Sequence, residues 1–492
     1  MKKILSILLI LSTFVAHAQS AVIKNIADTN PRNTTLQPLY FLASDELMGR
    51  SATRPEANIA ARYIGEMFRS YGLKEANGTK DYFQEFDIHL AKSPDKGGFT
   101  INENHFQLMD NLLLYEGKDS SFSAPVVYVG YGTKEELEKA DVKGKIVITD
   151  FGLNENSSMG EAIMALFEMK KEALTKKGAL AIIERYQNKG MPWEAAKMMA
   201  TQELAENPDS PIKILFVNDT ENKLNKIPAN SIGELSIENT TRRTIKAKNV
   251  MGFVEGTDPK LKKEFVLLSA HYDHMGVAPA ATSVNGKMDS IFNGARDNAI
   301  GVTAIISAAR YFAKHPPKRS VLFVSFAAEE IGLVGSKHFV ENPPLPLNQI
   351  IFNLNNDNAG YNNTSAISVL GSGRTSADAE IRSAATAYKF KYLPEPSPEE
   401  NLFMRSDNFP LAQKGIPAIT FTMGIDKVDE KVNETYHKVT DEVGNMDLDY
   451  AVKFIHSYIL AAKNIADNPK QPTWNKGEMF ETEWQKLYGN QK

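Results

Sequence analysis

Short apolar runs and amphipathic segments alternate along the second half of the chain. Four almost wholly apolar runs predict buried strands: residues 265–270, 320–327, 349–354 and 416–422. Residues 301–313 have the apolar spacing of a helix, and residues 448–462 carry an apolar stripe behind Asp447, a candidate helix cap. This alternation predicts an α/β fold in which helices cover both faces of a mostly parallel sheet, giving three αβα layers.

The first half divides into two regions. Residues 36–47 and 57–71 have helical apolar spacing, and we assign residues 19–109 to the same domain as residues 247–468. Between them, residues 110–246 form a β-rich block, which we interpret as an inserted domain. Its predicted elements are strands at 124–130, 145–150 and 178–183 and a helix at 161–176. Residues 469–492 follow two prolines and are polar, which predicts a loosely attached C-terminal tail.

The amino terminus has the pattern of a secretory signal peptide. Lys2 and Lys3 precede an apolar stretch over residues 4–15, and Ala16-His17-Ala18 has the form of a cleavage site. The stretch is shorter than the roughly 20 residues that span a bilayer, and no later segment of the sequence is long and apolar enough to do so. We therefore expect residues 1–18 to be removed and the protein to be periplasmic or secreted.

The composition limits the partners and the metal ligands that the chain can be expected to have. The net charge is -4 and no block is rich in Lys or Arg, so the sequence gives no support to a nucleic-acid or anionic-membrane partner. The chain has no cysteine, which excludes disulfides, thiolate metal ligands and a cysteine nucleophile. Imidazole and oxygen groups remain as the strong metal ligands.

Metal-competent side chains follow several predicted strands, and ligands of α/β sheets collect beyond the carboxyl ends of the strands. These side chains are His271 and Asp273, Asp297, Glu329 and Glu330, Asp357, and His437. Taken singly, each also fits a structural role: a core histidine, a helix cap, an exposed acidic loop or a solvated loop residue. The hypothesis of a metal site therefore depends on the whole set and on its order along the chain.

The adjacent carboxyls of Glu329 and Glu330 favour a division of labour, in which one binds metal and the other acts as general base. Two metal ions about 3.5–4 Å apart, bridged by one carboxylate, need roughly this inventory of groups. With no thiolate available, ligand type makes zinc the first choice.

The chain resembles the bacterial co-catalytic di-zinc aminopeptidases, whose wider relatives include glutamate carboxypeptidases, glutaminyl cyclases and the transferrin receptor. The resemblance rests on AHYDHMG, IFNGARDNAIGV, SVLFVSFAAEEIGLVGS, DNAG, RSDNFPLAQKGIPAI and YHKVTDE, together with LASDELMGR and NVMGFVEGTD. These stretches span most of residues 36–462 apart from the insert. The insert itself, with APVVYVGYG and DVKGKIVI, resembles a protease-associated domain, and a passive structural insert is the alternative.

The resemblance implies a role for each residue of the set. One zinc would bind His271 and Asp357, the other Glu330 and His437, and Asp297 would bridge the two. Glu329 would be the general base, Asp273 would orient His271, Tyr436 would hydrogen-bond the reacting carbonyl oxygen, and Arg405 would help to hold the substrate. The family also implies a cis peptide bond between Asp297 and Asn298.

Two positions depart from the family pattern. Many relatives have an acidic residue where this chain has Arg296, and His or Gln where it has Asn408. Neither position is one of the implied ligands. Of the remaining histidines, His274 is a candidate for the loop beside the site. Outside the predicted signal peptide, the other five are expected to be ordinary surface or packing residues: His89, His105, His315, His338 and His456.

The resemblance implies a zinc exopeptidase that acts on peptides, with removal of amino-terminal residues as the expected reaction, and the signal-peptide pattern adds the expectation that it is exported. Two alternatives belong to the same family, a carboxypeptidase and a glutaminyl-cyclase-like enzyme. A third, from a different class, is a catalytically silent binding protein. Metal content and the choice between free and blocked amino termini separate these possibilities.

Overall fold

The computed structural model describes residues 19–186, 191–201, 203–228, 231–284 and 286–489. The predicted signal peptide lies outside these residues. The chain divides into two compact units. The first comprises residues up to Phe86, Ala247–Pro398 and Leu402 onward, and the second comprises Asp87–Lys246 with Glu399–Asn401.

The first unit is built on a twisted sheet whose centre is parallel. From one edge, its strands are Lys391–Leu393, Ala366–Leu370, Ala418–Met423, Ile350–Asn356, Phe265–His271, Ser320–Phe326 and the end of Thr241–Val254. Beyond Thr241–Val254 the sheet continues with Phe83–Lys92, and Lys74–Glu75 also pairs with Thr241–Val254. The four strands from Ala418–Met423 to Ser320–Phe326 run parallel, and each neighbour outside this group is antiparallel to it. The four central strands are buried along their lengths, apart from the half-buried Phe265, as expected for a sheet covered on both faces.

Two groups of helices pack on this sheet. The larger group surrounds Ile300–Lys314 and Leu448–Asp467, and the smaller consists of Val334–Glu341 and Asn408–Gln413. The remaining helices of the unit are Arg32–Leu42, Glu56–Ser70, Asp378–Ala387, Glu430–Asn433 and Glu481–Tyr488. The predicted α/β architecture with a mostly parallel sheet is confirmed. In the described part of the chain, no helix combines the length and the apolar character needed to cross a bilayer.

The second unit contains an eight-stranded sheet. In spatial order its strands are Asn104–Gln107, Lys96–Ile101, Ile232–Glu238, Ser120–Tyr128, Ile146–Asp150, Ala181–Arg185, Lys213–Val217 and Leu112–Glu116. Its helices are Lys134–Lys139, Met159–Met164, Lys171–Lys176 and Trp193–Ala200. The sheet is parallel from Ser120–Tyr128 to Lys213–Val217 and antiparallel elsewhere. The resemblance to a protease-associated domain stays a prediction.

The second unit begins earlier than the sequence suggested. The boundary at residue 110 was predicted from a change in the pattern of apolar and polar residues, but the unit starts at Asp87. The reason is pairing across a long separation, because Lys96–Ile101 is hydrogen-bonded along its whole length to Ile232–Glu238. A strand whose partner lies far along the chain gives no local signal of the sheet to which it belongs.

The C-terminal tail is packed, contrary to the prediction of a loose attachment. Trp474 is buried, and its indole nitrogen donates to the carbonyl of Gly415 at 3.1 Å. The helix Glu481–Tyr488 ends with the buried Tyr488, whose hydroxyl donates to the carbonyl of Ile350. A few aromatic side chains are therefore enough to anchor a segment that is otherwise polar.

A fully buried ion pair lies within the second unit. Lys170 Nζ donates to both carboxylate oxygens of Glu184, at 3.0 and 3.1 Å, and to the carbonyl of Asp150 at 2.8 Å. Replacing Lys170 with Met is expected to lower the free energy of unfolding by about 3–5 kcal/mol, because it leaves Glu184 buried and unpaired. Urea unfolding of the whole chain, followed by circular dichroism and tryptophan fluorescence, measures this loss.

A matched control is Lys176→Met, which removes an exposed i,i+4 partner of Glu172 on the same helical segment. That pair is expected to contribute only about 0.3–0.5 kcal/mol. Equal losses in the two variants would show that burial of the Lys170 pair has no special energetic consequence.

Candidate metal centre

The metal-competent side chains of the first unit lie at the carboxyl ends of its parallel strands. His271 is the last residue of its strand, Glu329 and Glu330 follow Ser320–Phe326, and Asp357 follows Ile350–Asn356. Because parallel strands end at one edge of a sheet, the fold brings these residues together from distant positions.

The first half of the cluster is formed by His271, Asp357 and Asp297. The Nε2 atom of His271 lies 3.1 Å from Oδ1 of Asp357 and 3.4 Å from Oδ1 of Asp297. The hydroxyl of Ser406 donates to Oδ2 of Asp357 at 2.5 Å. One carboxylate oxygen of Asp357 is thereby fixed, while the other faces the histidine.

The second half is formed by His437, Glu330 and the other oxygen of Asp297. The Nε2 atom of His437 lies 3.2 Å from Oε2 of Glu330 and 3.3 Å from Oδ2 of Asp297. Asp297 thus directs one oxygen toward each histidine. This arrangement has the donors that two zinc ions sharing one bridging carboxylate require, so the residues present fit a di-zinc site.

His274 also belongs to this cluster. Its side chain is buried, and its Nδ1 lies 2.6 Å from Oε1 of Glu330 and 3.9 Å from Oδ1 of Asp297. Within the described residues, the groups that could hold a metal ion all lie here, and His274 forms one of them with Asp297 and Glu330. The sequence predicts only that His274 lies near the site. Residues three positions apart in an extended strand point to opposite faces, so the spacing from His271 does not predict that the two side chains meet.

Asp273 contacts His271 through a different group from the one predicted. The ring nitrogen Nδ1 of His271 donates to the main-chain carbonyl of Asp273, at 3.2 Å, and not to its carboxylate. The buried carboxylate of Asp273 instead accepts the backbone N–H groups of Glu329 and Glu330, at 3.1 and 3.4 Å. Asp273 therefore connects the strand end that carries His271 to the loop that carries the two glutamates.

The surroundings shift the pKa values of the adjacent carboxyls of Glu329 and Glu330 in opposite directions. Burial raises the pKa of Glu329 well above its usual value; His271 opposes this rise, while Asp357 and Glu330 add to it. For Glu330, burial and Asp297 act to raise the pKa, but His437 and His274 outweigh them and lower it to about 2. Two carboxyls whose pKa values differ in this way are suited to different roles, one as a proton carrier and one as a permanent anion.

The surroundings shift the pKa values of Asp297 and His271 in the directions that favour their charged forms. Burial by itself would raise the pKa of Asp297, but hydrogen bonds from His271 and His437 hold it well below its usual value. Burial would lower the pKa of His271, and the charges of Asp357 and Glu329 raise it well above the usual value instead. Contacts within the cluster therefore outweigh the effect of burial on both groups.

Tyr436 and Arg405 lie beside the cluster. The Tyr436 ring stacks on His437 with ring centroids 4.0 Å apart, and Nη2 of Arg405 donates to the Tyr436 hydroxyl at 3.4 Å. Burial raises the pKa of Tyr436 to about 12, against the opposing effect of His437 and Arg405. The hydroxyl therefore keeps its proton at neutral pH and remains a hydrogen-bond donor.

The two departures from the family pattern have structural partners. Arg296 pairs with Asp441 at 2.9 Å, and Asp441 also accepts the backbone N–H groups of Arg296 and Asp297. Asn408 donates to the carbonyl of Phe403 at 3.0 Å. The positive charge of Arg296 is thus neutralised by Asp441, which holds the loop that contains Asp297.

The remaining histidines have ordinary contacts elsewhere: His89 with Thr244, His105 with Thr100, His315 with Thr29, His338 with Phe86, and His456 with Asn30. The peptide bond between Asp297 and Asn298 is cis, as the resemblance implied. The loop residue His437 has a φ of 53°, in the left-handed region that few non-glycine residues adopt.

Comparison with known proteins finds similarity to peptidases. Residues 249–461 match peptidase family M28. Aminopeptidase YwaD of Bacillus subtilis (strain 168) is 25% identical over 331 residues, which cover 66% of this chain and 63% of that protein. A vacuolar membrane protease of Schizophyllum commune is 31% identical over 112 residues, or 23% of this chain and 11% of the relative.

A solved structure has a similar fold. The aminopeptidase from Aneurinibacillus sp. strain AM-1 superposes with a TM-score of 0.59 at 20% identity, covering 91% of this chain and 97% of the other. At that identity the likeness concerns the fold alone. The family match is more informative, because it contains every residue of the metal cluster. The part of this chain that carries the whole cluster, residues 249–461, therefore resembles peptidase family M28.

Proposed function

We propose that this chain is an exported, zinc-dependent aminopeptidase that hydrolyses the first peptide bond of its substrates. The observation that carries the proposal is the position of Asp297, whose two oxygens lie 3.4 and 3.3 Å from the Nε2 atoms of His271 and His437. A carboxylate shared in this way is the feature that a pair of metal ions needs. The family match and the name of the Bacillus subtilis relative favour a peptidase.

The chain's own residues have distinct tasks in this reaction. Zinc bound at the cluster supplies an acidified water and a Lewis acid for the carbonyl oxygen. Glu329, whose pKa is raised by burial, accepts the proton of the attacking water on its carboxylate and returns it to the leaving amine. One oxygen of Glu329 lies within 4.8 Å of ligand atoms of His271 and Glu330, close enough to serve a water between them.

Two further side chains act on the substrate. The protonated hydroxyl of Tyr436 donates a hydrogen bond to the reacting carbonyl oxygen, where negative charge develops. Arg405, which contacts that hydroxyl, helps to hold the substrate beside the cluster. The carboxylates of the cluster provide a negative environment for the free α-amine of a peptide, which gives the preference for amino termini.

The test combines metal analysis with matched substrates. Protein purified without chelator is expected to contain two zinc ions per chain and to hydrolyse an aminoacyl-p-nitroanilide. The N-acetylated form of the same anilide is expected to be cleaved at least about 100-fold more slowly, because a site built for a buried polar group rejects an analogue that lacks it. Cleavage of both forms at similar rates would contradict the aminopeptidase assignment.

Other outcomes identify the alternatives. Release of a C-terminal acidic residue from a blocked peptide would indicate a carboxypeptidase, and cyclisation of an amino-terminal glutamine would indicate a glutaminyl cyclase. Protein without zinc and without hydrolysis would support a binding protein. Export is tested by fractionating cells that express the full chain, with the mature protein expected to begin after Ala18 and to be found outside the cytoplasm.

A further inference from the structure

The segment around LASDELMGR has no role in the proposed reaction, yet it lies directly behind the metal cluster. Residues 43–50, which we call the clamp, follow the helix Arg32–Leu42 and make a tight turn. Met48, Gly49 and Arg50 all have positive φ, at 46°, 67° and 49°. Gly49 is required there, because a Cβ would lie 2.2 Å from the carbonyl oxygen of Gly276 and 2.7 Å from that of Phe292.

The close approach of Gly49 to these two carbonyl groups places the clamp between two loops of the cluster. Gly276 begins one strand of a hairpin and Phe292 ends the other, as given by the bounds Gly276–Val284 and Lys287–Phe292. His274 lies two residues before the first strand, and Asp297 lies five residues after the second. The clamp therefore touches both stems from which metal-competent residues extend.

Arg50 joins these loops through its guanidinium group. Its Nε donates to the carbonyl of Tyr272 at 2.8 Å, Nη1 to that of Asn293 at 2.6 Å, and Nη2 to that of Gly294 at 3.0 Å. Nη1 also donates to the carbonyl of Leu42. One buried side chain thus ties the residue next to His271 to the loop that leads to Asp297.

The backbone and a neighbouring side chain of the clamp add to this link. The carbonyl of Arg50 accepts the backbone N–H of His274 at 3.3 Å. Asn293 donates through Nδ2 to the carbonyl of Ala43 at 3.0 Å and to Oδ1 of Asp45 at 2.7 Å. All of these contacts join residues at least 220 positions apart in sequence, apart from the one to Leu42.

The charge of Arg50 also suits this location. Burial lowers the pKa of Arg50 to about 10, against the opposing effect of the negative charges of Asp297, Asp441, Asp273 and Glu330. The guanidinium therefore stays protonated at neutral pH. A fixed cation behind a group of carboxylates reduces their mutual repulsion. Lysine cannot replace it, because a single ammonium does not reach four carbonyls in a planar fork.

We propose that Arg50 is a positioning residue, which fixes the loops of His271 and Asp297 relative to each other and so sets the affinity of the cluster for zinc. The inference rests on the proposed di-zinc function. Outer contacts that orient metal ligands typically change metal affinity 10–100-fold when they are removed. A buried arginine that served only as packing would affect folding stability and leave zinc affinity unchanged.

The test compares Arg50→Lys with Arg319→Lys. Arg319 is a matched control, since it is equally buried in the same unit and binds Glu264 and the carbonyls of Asn468 and Pro469. Zinc affinity is measured on metal-stripped protein by competition with a chromophoric chelator, and thermal unfolding is recorded without metal. Arg50→Lys is expected to weaken zinc binding about 10–100-fold, whereas Arg319→Lys is expected to lower only the unfolding temperature.

A milder pair keeps the inference testable if Arg50→Lys does not fold. Asp45 and Glu46 are adjacent and exposed, but of the two only Asp45 contacts Asn293. Asp45→Ala is expected to weaken zinc binding several-fold, and Glu46→Ala is expected to leave it unchanged. The visible spectrum of the cobalt-loaded variants depends on the geometry of the metal ligands. It therefore tests, independently of activity, whether the substitution has moved them.

The results separate this inference from the proposed function. Wild-type zinc affinity in both Arg50→Lys and Asp45→Ala would overturn the positioning role, as would equal losses in Arg319→Lys. Wild-type protein that binds two zinc ions without hydrolysing any peptide would contradict the proposed function, while a specific loss of affinity in Arg50→Lys would still support the clamp. Wild-type protein that binds no zinc would overturn both.

Discussion

Glu329→Gln is expected to lower kcat about 10²- to 10⁴-fold, the usual contribution of a general acid–base group, while the protein keeps both zinc ions. Glutamine has nearly the same shape as glutamate but cannot accept the proton of the attacking water. The contacts that position this residue involve its backbone N–H and the carboxylate of Asp273, so they survive the substitution. Steady-state kinetics on an aminoacyl-p-nitroanilide and elemental analysis of the same sample measure the two properties together.

The adjacent residue provides the control. Glu330→Gln changes the carboxylate that lies 3.2 Å from Nε2 of His437, so this variant is expected to lose the zinc of that half of the cluster. The two variants differ by one position and should give opposite results for metal content. Loss of zinc from Glu329→Gln, with retention in Glu330→Gln, would show that the roles of ligand and base are exchanged.

Asp297→Ala is expected to remove both zinc ions and with them all measurable hydrolysis. No other carboxylate of the cluster contacts the Nε2 atoms of both His271 and His437, so the two halves of the site share its charge. Zinc present at 100 times its dissociation constant stabilises a folded protein by about 2.7 kcal/mol. The variant is expected to lose this zinc-dependent gain, which thermal unfolding with and without added zinc detects.

Asp357→Ala is the matched comparison, because Asp357 contacts only His271 among the two histidines. It is expected to lose one zinc ion and to retain the other. Equal zinc contents in the two variants would contradict a bridging role for Asp297. Retention of two ions by Asp297→Ala would place the bridge elsewhere in the cluster, with His274 and Glu330 as the nearest groups.

Much of the first unit was predictable because its signals are local. The apolar run at 265–270 became the strand Phe265–His271, and the helical spacing at 301–313 became the helix Ile300–Lys314. Parallel strands buried on both faces must be almost wholly apolar, and the polar residues that follow them must lie at the sheet edge. The same reasoning predicts from the sequence that His271, Glu330 and Asp357 lie at one edge of the sheet.

The boundaries between parts of the chain were less predictable. The second unit begins at Asp87 because Lys96–Ile101 pairs with a strand more than 130 positions later. The polar tail is anchored by Trp474 and Tyr488, which contribute little to the average character of their segment. Composition averages over a stretch of residues, whereas a boundary or an anchor is set by individual long-range contacts.

The sequence by itself determined the α/β class, the order of the metal-competent residues and the chemistry that they can support, because periodicity and residue type act within a few positions. Only the tertiary structure decided that His274 contacts Glu330, that Asp273 reaches His271 through its carbonyl, and that Arg50 lies behind the cluster. The bond from Arg50 to Gly294 crosses 244 positions of chain. No local pattern encodes such a contact, since it exists only after the sheet and its loops have packed.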